Sequence, residues 1–237
     1  MRLDDPAHVR QQYASEAGLA ARKAVYKEVT GPDARELLFS AVAEVSPGRV
    51  LEVGCGEGEL AERLMKDLGT GVVALDQSPR MVELTRARGV DARVGDVQEL
   101  PFPDESFDAA VAAWMLYHVP ALDLALDELA RILKPGGRLV AVTNCADHLF
   151  EMLELAGAGR WELPFGGENA ETVLSRYFSR VDRRDADGTV TFGDADAIRS
   201  YLRSSDRLAS FADRVPELTE PLVARRRPVV FVAEKAA

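Results

Sequence analysis

Val50-Leu51-Glu52-Val53-Gly54-Cys55-Gly56-Glu57-Gly58-Glu59-Leu60 runs from an apolar segment through three alternate glycines into the start of a helix. Val50, Leu51 and Val53 suit a buried parallel strand, and Gly54, Gly56 and Gly58 let the backbone turn sharply and approach a ligand closely. Leu60, Leu64 and Leu68 recur at four-residue spacing, so a helix follows the loop at once. The loop then offers its N–H groups at a helix N-terminus beside the carboxyl end of a strand, where open α/β sheets bind ligands.

A glycine-rich loop alone does not say which ligand. A dinucleotide fingerprint places its third glycine at position 59, where this chain has Glu59, a carboxylate unsuited to a pyrophosphate. Glu52, just ahead of the loop, repels an anion and suits a cation. Val72-Val73-Ala74-Leu75 ends in Asp76, which should sit at the tip of a neighbouring strand, placed to accept from ribose hydroxyls. Ser78-Pro79 then caps a helix, with serine at N-cap and proline at the first helical position. Ala92-Arg93-Val94 leads to Gly95-Asp96-Val97, where Asp96 can accept from an exocyclic amine and the Val97 backbone can read a ring nitrogen. Three strand tips together outline a nucleoside bearing an ammonium or sulfonium group.

The ordered set E-V-G-C-G-E-G, A-L-D-Q-S, G-D-V-Q-E-L-P-F-P-D-E-S-F-D and L-K-P-G-G-R-L resembles the successive motifs of class I S-adenosylmethionine-dependent methyltransferases, over about Arg49 to Asn144. The resemblance implies a small-molecule methyltransferase whose cofactor is S-adenosyl-L-methionine. Glu52 and the loop of Gly54, Cys55, Gly56 and Gly58 would hold the methionine end, Asp76 the ribose, and Asp96 with Val97 the adenine. Gln77, Ser78 and Met81 would line the ribose and adenine flank, and Ala113, Trp114 and Tyr117 at the fourth strand's tip would complete the cleft. In the family an N-terminal arm covers the cofactor; Tyr13, Arg22 and Tyr26 are the residues to watch there, as a sulfonium shield and a carboxylate partner or as surface residues of a packed helix.

With 237 residues, 47% of them hydrophobic, the chain can bury a full core as one α/β domain. That domain is expected to span 1–237, with a helical lid over 1–45, a cofactor-binding core over 46–144 and a substrate-side segment over 145–237. No apolar run reaches the roughly 20 residues of a membrane span, and Asp4 and Asp5 close to Met1 do not read as a signal peptide, so a cytoplasmic protein away from membranes is expected. A net charge of −10 works against gripping a nucleic-acid backbone. Arg225-Arg226-Arg227 reads as a solvated edge or turn rather than a binding patch. Cys55 and Cys145 form no metal-ligand pair, and Asn144 with Asp147 gives too few oxygens for a hard cation, so no metal is expected.

Gly31-Pro32-Asp33 divides residues 1–45 into two helical pieces, the second beginning with proline at its first position. Phe107 to Ala113 reads as a buried strand, Pro120 opens a helix to about Leu133, Pro135-Gly136-Gly137 stops it, and Arg138 to Thr143 is a fifth strand. Asp147 to Ala156 reads as helix and Gly157 to Gly167 as a loop of lid character. Phe178–Asp182 and Gly188–Phe192 read as strands, 194–215 as a long helix, and Pro228–Ala233 as a last strand. The expected fold is α/β, doubly wound and Rossmann-like: a seven-stranded, mostly parallel sheet with an antiparallel last strand, helices on both faces and an N-terminal helical lid.

Methyl transfer from a charged sulfur needs an acceptor held in line, water excluded and a proton removed. His118 and His148, just beyond the fourth and fifth strands, are the candidate catalytic bases, His118 the better; each can instead contact a ligand or hold a loop. Trp114 and Tyr117 suit one wall of a pocket, and Trp161 and Phe165 either the other wall or anchors for the loop. The function expected is methyl transfer to an oxygen, nitrogen or carbon of a small metabolite by a monomer or homodimer. A protein- or RNA-directed enzyme and a non-catalytic cofactor-binding module are the alternatives.

Overall fold

The computed structural model describes Asp4, Asp5, Arg22, Tyr26 and residues 29–237. The expected lid over 1–45 therefore lies mostly outside the described residues, as does Tyr13. Helix α1 (Ala34–Ala43) is capped by Asp33, whose side chain accepts from Arg35 N. Pro32 thus stands before the cap rather than at the first helical position, because an aspartate satisfies an open N–H that a proline does not.

The first half of the chain winds regularly. β1 (Arg49–Val53) leads through the glycine loop to α2 (Glu59–Leu68), β2 (Gly71–Asp76), α3 (Pro79–Ala87) and β3 (Asp91–Val94). Ser78 caps α3 by accepting from Met81 N, with Pro79 at the first turn. β4 (Phe107–Ala113) is followed by a short 3-10 turn (Leu116–His118), α4 (Leu122–Ile132) and β5 (Leu133–Asn144). After α5 (Phe150–Leu155) and α6 (Ala170–Leu174) come β6 (Arg180–Asp185), β7 (Gly188–Phe192), α7 (Ala195–Arg203), a 3-10 segment (Ala209–Arg214), β8 (Leu222–Arg226) and β9 (Pro228–Glu234).

Seven strands form one sheet in the order β3-β2-β1-β4-β5-β9-β6. The β3 to β5 pairings are parallel, whereas β9 runs antiparallel to both β5 and β6. The chain moves outward from β1 to β3 and then returns to build β4 and β5 on the other side. This reversal opens a crevice at the carboxyl ends of β1 and β4, where α/β sheets bind ligands.

Strand alternation sorts the core into two layers. Leu51, Val53, Ala110, Ala112, Leu139 and Ala141 meet Leu126 and Leu129 of α4 on one face. Val50, Val72, Ala74, Ala109, Val111 and Val140 meet Leu38 of α1, Leu64 of α2 and Val82 of α3 on the other. A third apolar cluster stands apart: Met152 and Leu153 of α5, Val190 and Phe192 of β7, Ile198 and Leu202 of α7, and Ala224 of β8.

Several sequence expectations are corrected here. The strand expected over Arg138–Thr143 begins at Leu133, and the Pro135-Gly136-Gly137 turn is an irregularity inside it, with Leu133 still paired to Phe107. Gly188–Phe192 does not join the main sheet but pairs with β8 in a two-stranded antiparallel ribbon. The helix expected over 194–215 stops at Arg203. The helix expected from Asp147 starts only at Phe150, because Leu149 takes a left-handed conformation (φ 56°). The arginine run is solvated at Arg225 but not at Arg226, which is buried and donates to the carbonyls of Thr30 and Pro32 at 3.0 and 2.6 Å. Arg225 pairs with Glu151, and Arg227 with Asp147 and Asp187.

Candidate active site

The loop after β1 hangs from β2, with Gly54 N and Cys55 N both donating to Leu75 O, at 2.7 and 3.2 Å. Gly54 and Gly58 have positive φ, and a Cβ there would lie 2.8 Å from Met115 Cγ and 2.6 Å from Thr85 Oγ1. The chain's own packing thus demands glycine at both positions. Asp76 ties the motifs together: one carboxylate oxygen accepts from Gly56 N at 2.9 Å and the other from Ser78 N at 2.8 Å. The Ser78 hydroxyl caps α3, Met81 beneath it is fully buried, and Gln77 is exposed.

Glu52 lies beneath this loop with 3% of its surface exposed. One carboxylate oxygen has no hydrogen-bond partner. Burial, and then repulsion by Asp76, push its pKa up to about 8 against the lowering effect of the Ala61 amide. Burial raises Asp76 as well, although three backbone N–H groups favour its charged form. Burial pushes the Cys55 thiol up to about 12, so it is protonated at neutral pH and not a nucleophile. A buried and a half-buried carboxylate with no paired cation among the described residues, the buried one with an open acceptor, fit a positively charged ligand. An anion fits poorly, because Glu59 and Glu62 occupy the first turn of α2 and Arg88 is committed to Glu57 O and Glu62.

At the third tip Asp96 accepts from Gln98 N at 2.9 Å and from Gln98 Nε2, while Gln98 Oε1 accepts from Ala121 N. Val97 is buried. At the tip of β4, beyond Ala113, Trp114 adopts φ 54° and donates from Nε1 to Asn144 Oδ1 at 3.2 Å, linking the ends of β4 and β5. Tyr117 and His118 follow, their rings 4.6 Å apart edge to face. Glu52, the glycine loop, Asp76, Trp114, Tyr117 and His118 thus all stand at or just beyond the carboxyl ends of β1, β2 and β4.

His148 belongs to a second cluster. Its Nδ1 accepts from Arg227 N at 2.9 Å and its Nε2 lies 3.1 Å from the Tyr26 hydroxyl. Burial, then the Arg226 charge, lower its pKa to about 3, so the ring is neutral across the physiological range. Burial, and then the nearby Tyr201, push the Tyr26 hydroxyl well above its ordinary pKa. Arg22 donates to Ser204 O at 2.7 Å, at the end of α7. Beside this cluster lies a cavity of about 110 Å³ lined by Asn144 and Cys145 at the tip of β5, His148, Leu149, Met152, Trp161, Tyr201 and Leu208, among others. Of the two loop aromatics, Trp161 lines that cavity under the Arg207 guanidinium, 3.7 Å away, whereas Phe165 is fully buried against Phe231. Tyr201, Leu149 and Met152 were missed from sequence. Tyr201 sits on the apolar side of a short amphipathic helix, where it reads as one more core aromatic.

Residues 51–141 match the family model described as a methyltransferase domain. The chain is 34% identical over 138 residues to a "Probable phthiotriol/phenolphthiotriol dimycocerosates methyltransferase 2" of Mycobacterium ulcerans, covering 55% of this chain and 54% of the relative. It is 40% identical over 111 residues to a ubiquinone biosynthesis O-methyltransferase of Xanthomonas oryzae pv. oryzae, covering 44% of this chain and 46% of the relative. The chain thus spans about half the length of the curated relatives it matches. Among solved structures, YcgJ of Bacillus subtilis superposes with TM-score 0.63 at 19% identity, over 86% of this chain and 98% of that one. The [4+2]-cyclase SpnF superposes with TM-score 0.65 at 20% identity, over 97% and 95%.

The sheet order is that of the solved methyltransferase-like structures, and the glycine loop lies within residues 51–141, the part of the chain that is similar to the methyltransferase domain model. Among the described residues no helix is long and apolar enough to cross a membrane.

Proposed function

We propose that this protein transfers a methyl group from S-adenosylmethionine to an oxygen, nitrogen or carbon of a small, largely apolar metabolite. The observation that carries the reading is the Glu52–Asp76 pair: a buried and a half-buried carboxylate, both of raised pKa, under a glycine loop, with one Glu52 oxygen still open. Such a pair favours a ligand with an ammonium and a sulfonium over a dinucleotide. When bound, the cofactor supplies an electrophilic methyl on positively charged sulfur.

The chain's own residues then bind, orient and desolvate. Glu52 and the loop from Gly54 to Gly58 hold the methionine end, Asp76 the ribose, and Asp96 with Val97 the base, with Ala113, Trp114 and Tyr117 flanking the cleft. The cavity beyond β5, walled mainly by leucines, Met152 and Trp161, receives the acceptor and keeps water out. Of the two histidines, His118 is assigned the acceptor's proton, because burial lowers the His148 pKa to about 3 and leaves it too weak a base to hold that proton at neutral pH. A net charge of −10 argues for a small-molecule partner over nucleic acid, and a cytoplasmic monomer or homodimer is the working state.

Fold alone does not fix the reaction, since a cyclase wears the same architecture. Calorimetry of the full chain with S-adenosylmethionine, followed by a screen for S-adenosylhomocysteine formation with apolar phenols, quinols and amines, tests the proposal. Saturable binding and acceptor-dependent turnover are expected; absence of binding overturns it. His118→Ala should leave cofactor affinity unchanged and lower turnover, with loss of the ascending limb of the pH profile.

A further inference from the structure

Asn144 stands where the strand tips of the cofactor cleft meet the cavity. It ends β5, lines the cavity, and is joined through its side chain to Trp114 at the tip of β4. An indole N–H only donates, so the atom 3.2 Å from Trp114 Nε1 is the amide oxygen, and turning the amide over would set two donors against each other. Nδ2 is therefore the atom with two protons to place, and among the described residues no group accepts them. The support beneath this amide is fixed. Trp114 is held at φ 54°, uncommon for a bulky residue, with its own N–H on Val142 O at 2.8 Å. On the other side Asn144 O accepts from Gly167 N at 3.0 Å, and Asn144 lies in register with Pro228 of β9.

Resting on the reading of that cavity as the acceptor site, we propose that the Asn144 amide donates to the nucleophilic atom of the methyl acceptor and selects oxygen over nitrogen there. A hydroxyl or phenol oxygen carries two lone pairs, so it can accept from Nδ2 with one and attack the methyl with the other. A neutral amine nitrogen has a single lone pair, which Nδ2 would occupy. In the transfer an oxygen lone pair forms the new O–C bond, the C–S bond breaks with its electrons passing to sulfur, which becomes neutral, and the O–H proton passes to His118, the base assigned above. A donor held at Nδ2 also stabilises the oxygen as that proton leaves, at no cost in reorganisation because Trp114 has already oriented it. Trp114 is the positioning residue in this scheme. It sets which end of the amide the acceptor meets.

Para-nitrophenol, para-nitroaniline and para-nitrotoluene, alike in shape and differing in one group, are the probes. Binding to the full chain is followed by quenching of tryptophan fluorescence, with Trp161 in the cavity wall, and ionisation of bound para-nitrophenol by the absorbance of its phenolate. The titratable groups among the described lining residues stay out of that window: His148 is lowered to about 3, and burial raises both Cys145 and Tyr201. Asn144→Asp keeps an oxygen for Trp114 and loses both N–H donors. In it the affinity for para-nitrophenol and the ionisation constant of the bound phenol are each expected to fall about tenfold, para-nitroaniline to bind more tightly, and para-nitrotoluene to bind as before, which reports an intact cavity. Asn144→Leu adds no charge and should shift the ionisation in the same direction. Trp114→Phe releases the amide to turn over, so the preference for the phenol over the aniline should narrow. Unchanged ionisation and an unchanged phenol-to-aniline preference in both Asn144 variants would overturn the role of Asn144 and leave the proposed methyl transfer standing. Failure of all three probes to bind the wild type would overturn the cavity as acceptor site, and this proposal with it.

Discussion

At Glu52 a carboxylate is enclosed between the first turn of α2 and Asp76, and its pKa of about 8 has two consequences of opposite sign. The unfolded chain releases this proton near the ordinary glutamate value, so between about 4.5 and 8 the native state binds more protons than the unfolded one. Stability therefore falls as pH rises through that window, by up to about 1.4 kcal/mol per pH unit. Asp76, raised by burial, adds in the same direction. A cationic ligand reverses the preference: it favours ionised Glu52, so binding expels a proton and affinity climbs toward pH 8, by up to about tenfold per unit. Glu52→Gln is expected to flatten the denaturation-against-pH slope and to abolish most of the pH dependence of S-adenosylmethionine affinity, measured by calorimetry in buffers of different ionisation enthalpy. An unchanged proton release in the variant would contradict the assignment.

Among the elements, the β7–β8 ribbon was the least legible and is held in an unusual way. β8 reads L-V-A-R-R, and its inward positions are Ala224 and Arg226, so hydrophobic alternation does not announce a strand. The Arg226 guanidinium satisfies the carbonyls of Thr30 and Pro32 instead of meeting a carboxylate, which a sequence cannot show because those partners lie in a distant loop. Beside it Gly31 and Gly188 stand back to back, and a Cβ on either would come within about 2 Å of a backbone oxygen, at 2.1 Å from Asp187 O and 2.0 Å from Thr30 O. Arg226→Ala should cost about 2–3 kcal/mol in urea denaturation, because two carbonyls lose a charged donor, whereas Arg225→Ala at the exposed Glu151 pair should cost less than about 1 kcal/mol. The contrast with β1, α2 and β2 is physical: there strand, glycine turn, helix and Asp76 follow from contacts within about one motif of each other, so the sequence displays them directly. The same locality explains why the strand-tip residues of the site were readable. Tyr201, Leu149 and Met152 were not, because the cavity joins segments whose meeting depends on the folded whole.

Across the whole molecule, the two faces of the sheet and the third apolar cluster are distinct packing units. Among the described residues the β7–β8 ribbon makes no strand pairing with the seven-stranded sheet, and it is joined to the segment before α1 by the Val29–Val190 bridge and by the Arg226 bonds to Thr30 and Pro32. Its interior, built from α5, β7, α7 and β8, also supplies most of the cavity wall through Leu149, Met152, Leu153, Tyr201 and Leu208. A packing unit separate from the central sheet is expected to open at lower free energy than that sheet, and under the proposed function such an opening would admit an acceptor. Native-state hydrogen exchange is expected to show this as two classes: amides of β1, β4 and β5 exchanging only through global unfolding, and those of α7 and the β7–β8 ribbon through a smaller opening with weaker denaturant dependence. A ligand held in that cavity should protect the second class selectively, because this cluster supplies much of its wall. A single exchange free energy for all strands would mean that ribbon and sheet unfold as one, and that acceptor entry must instead proceed through motion of side chains alone.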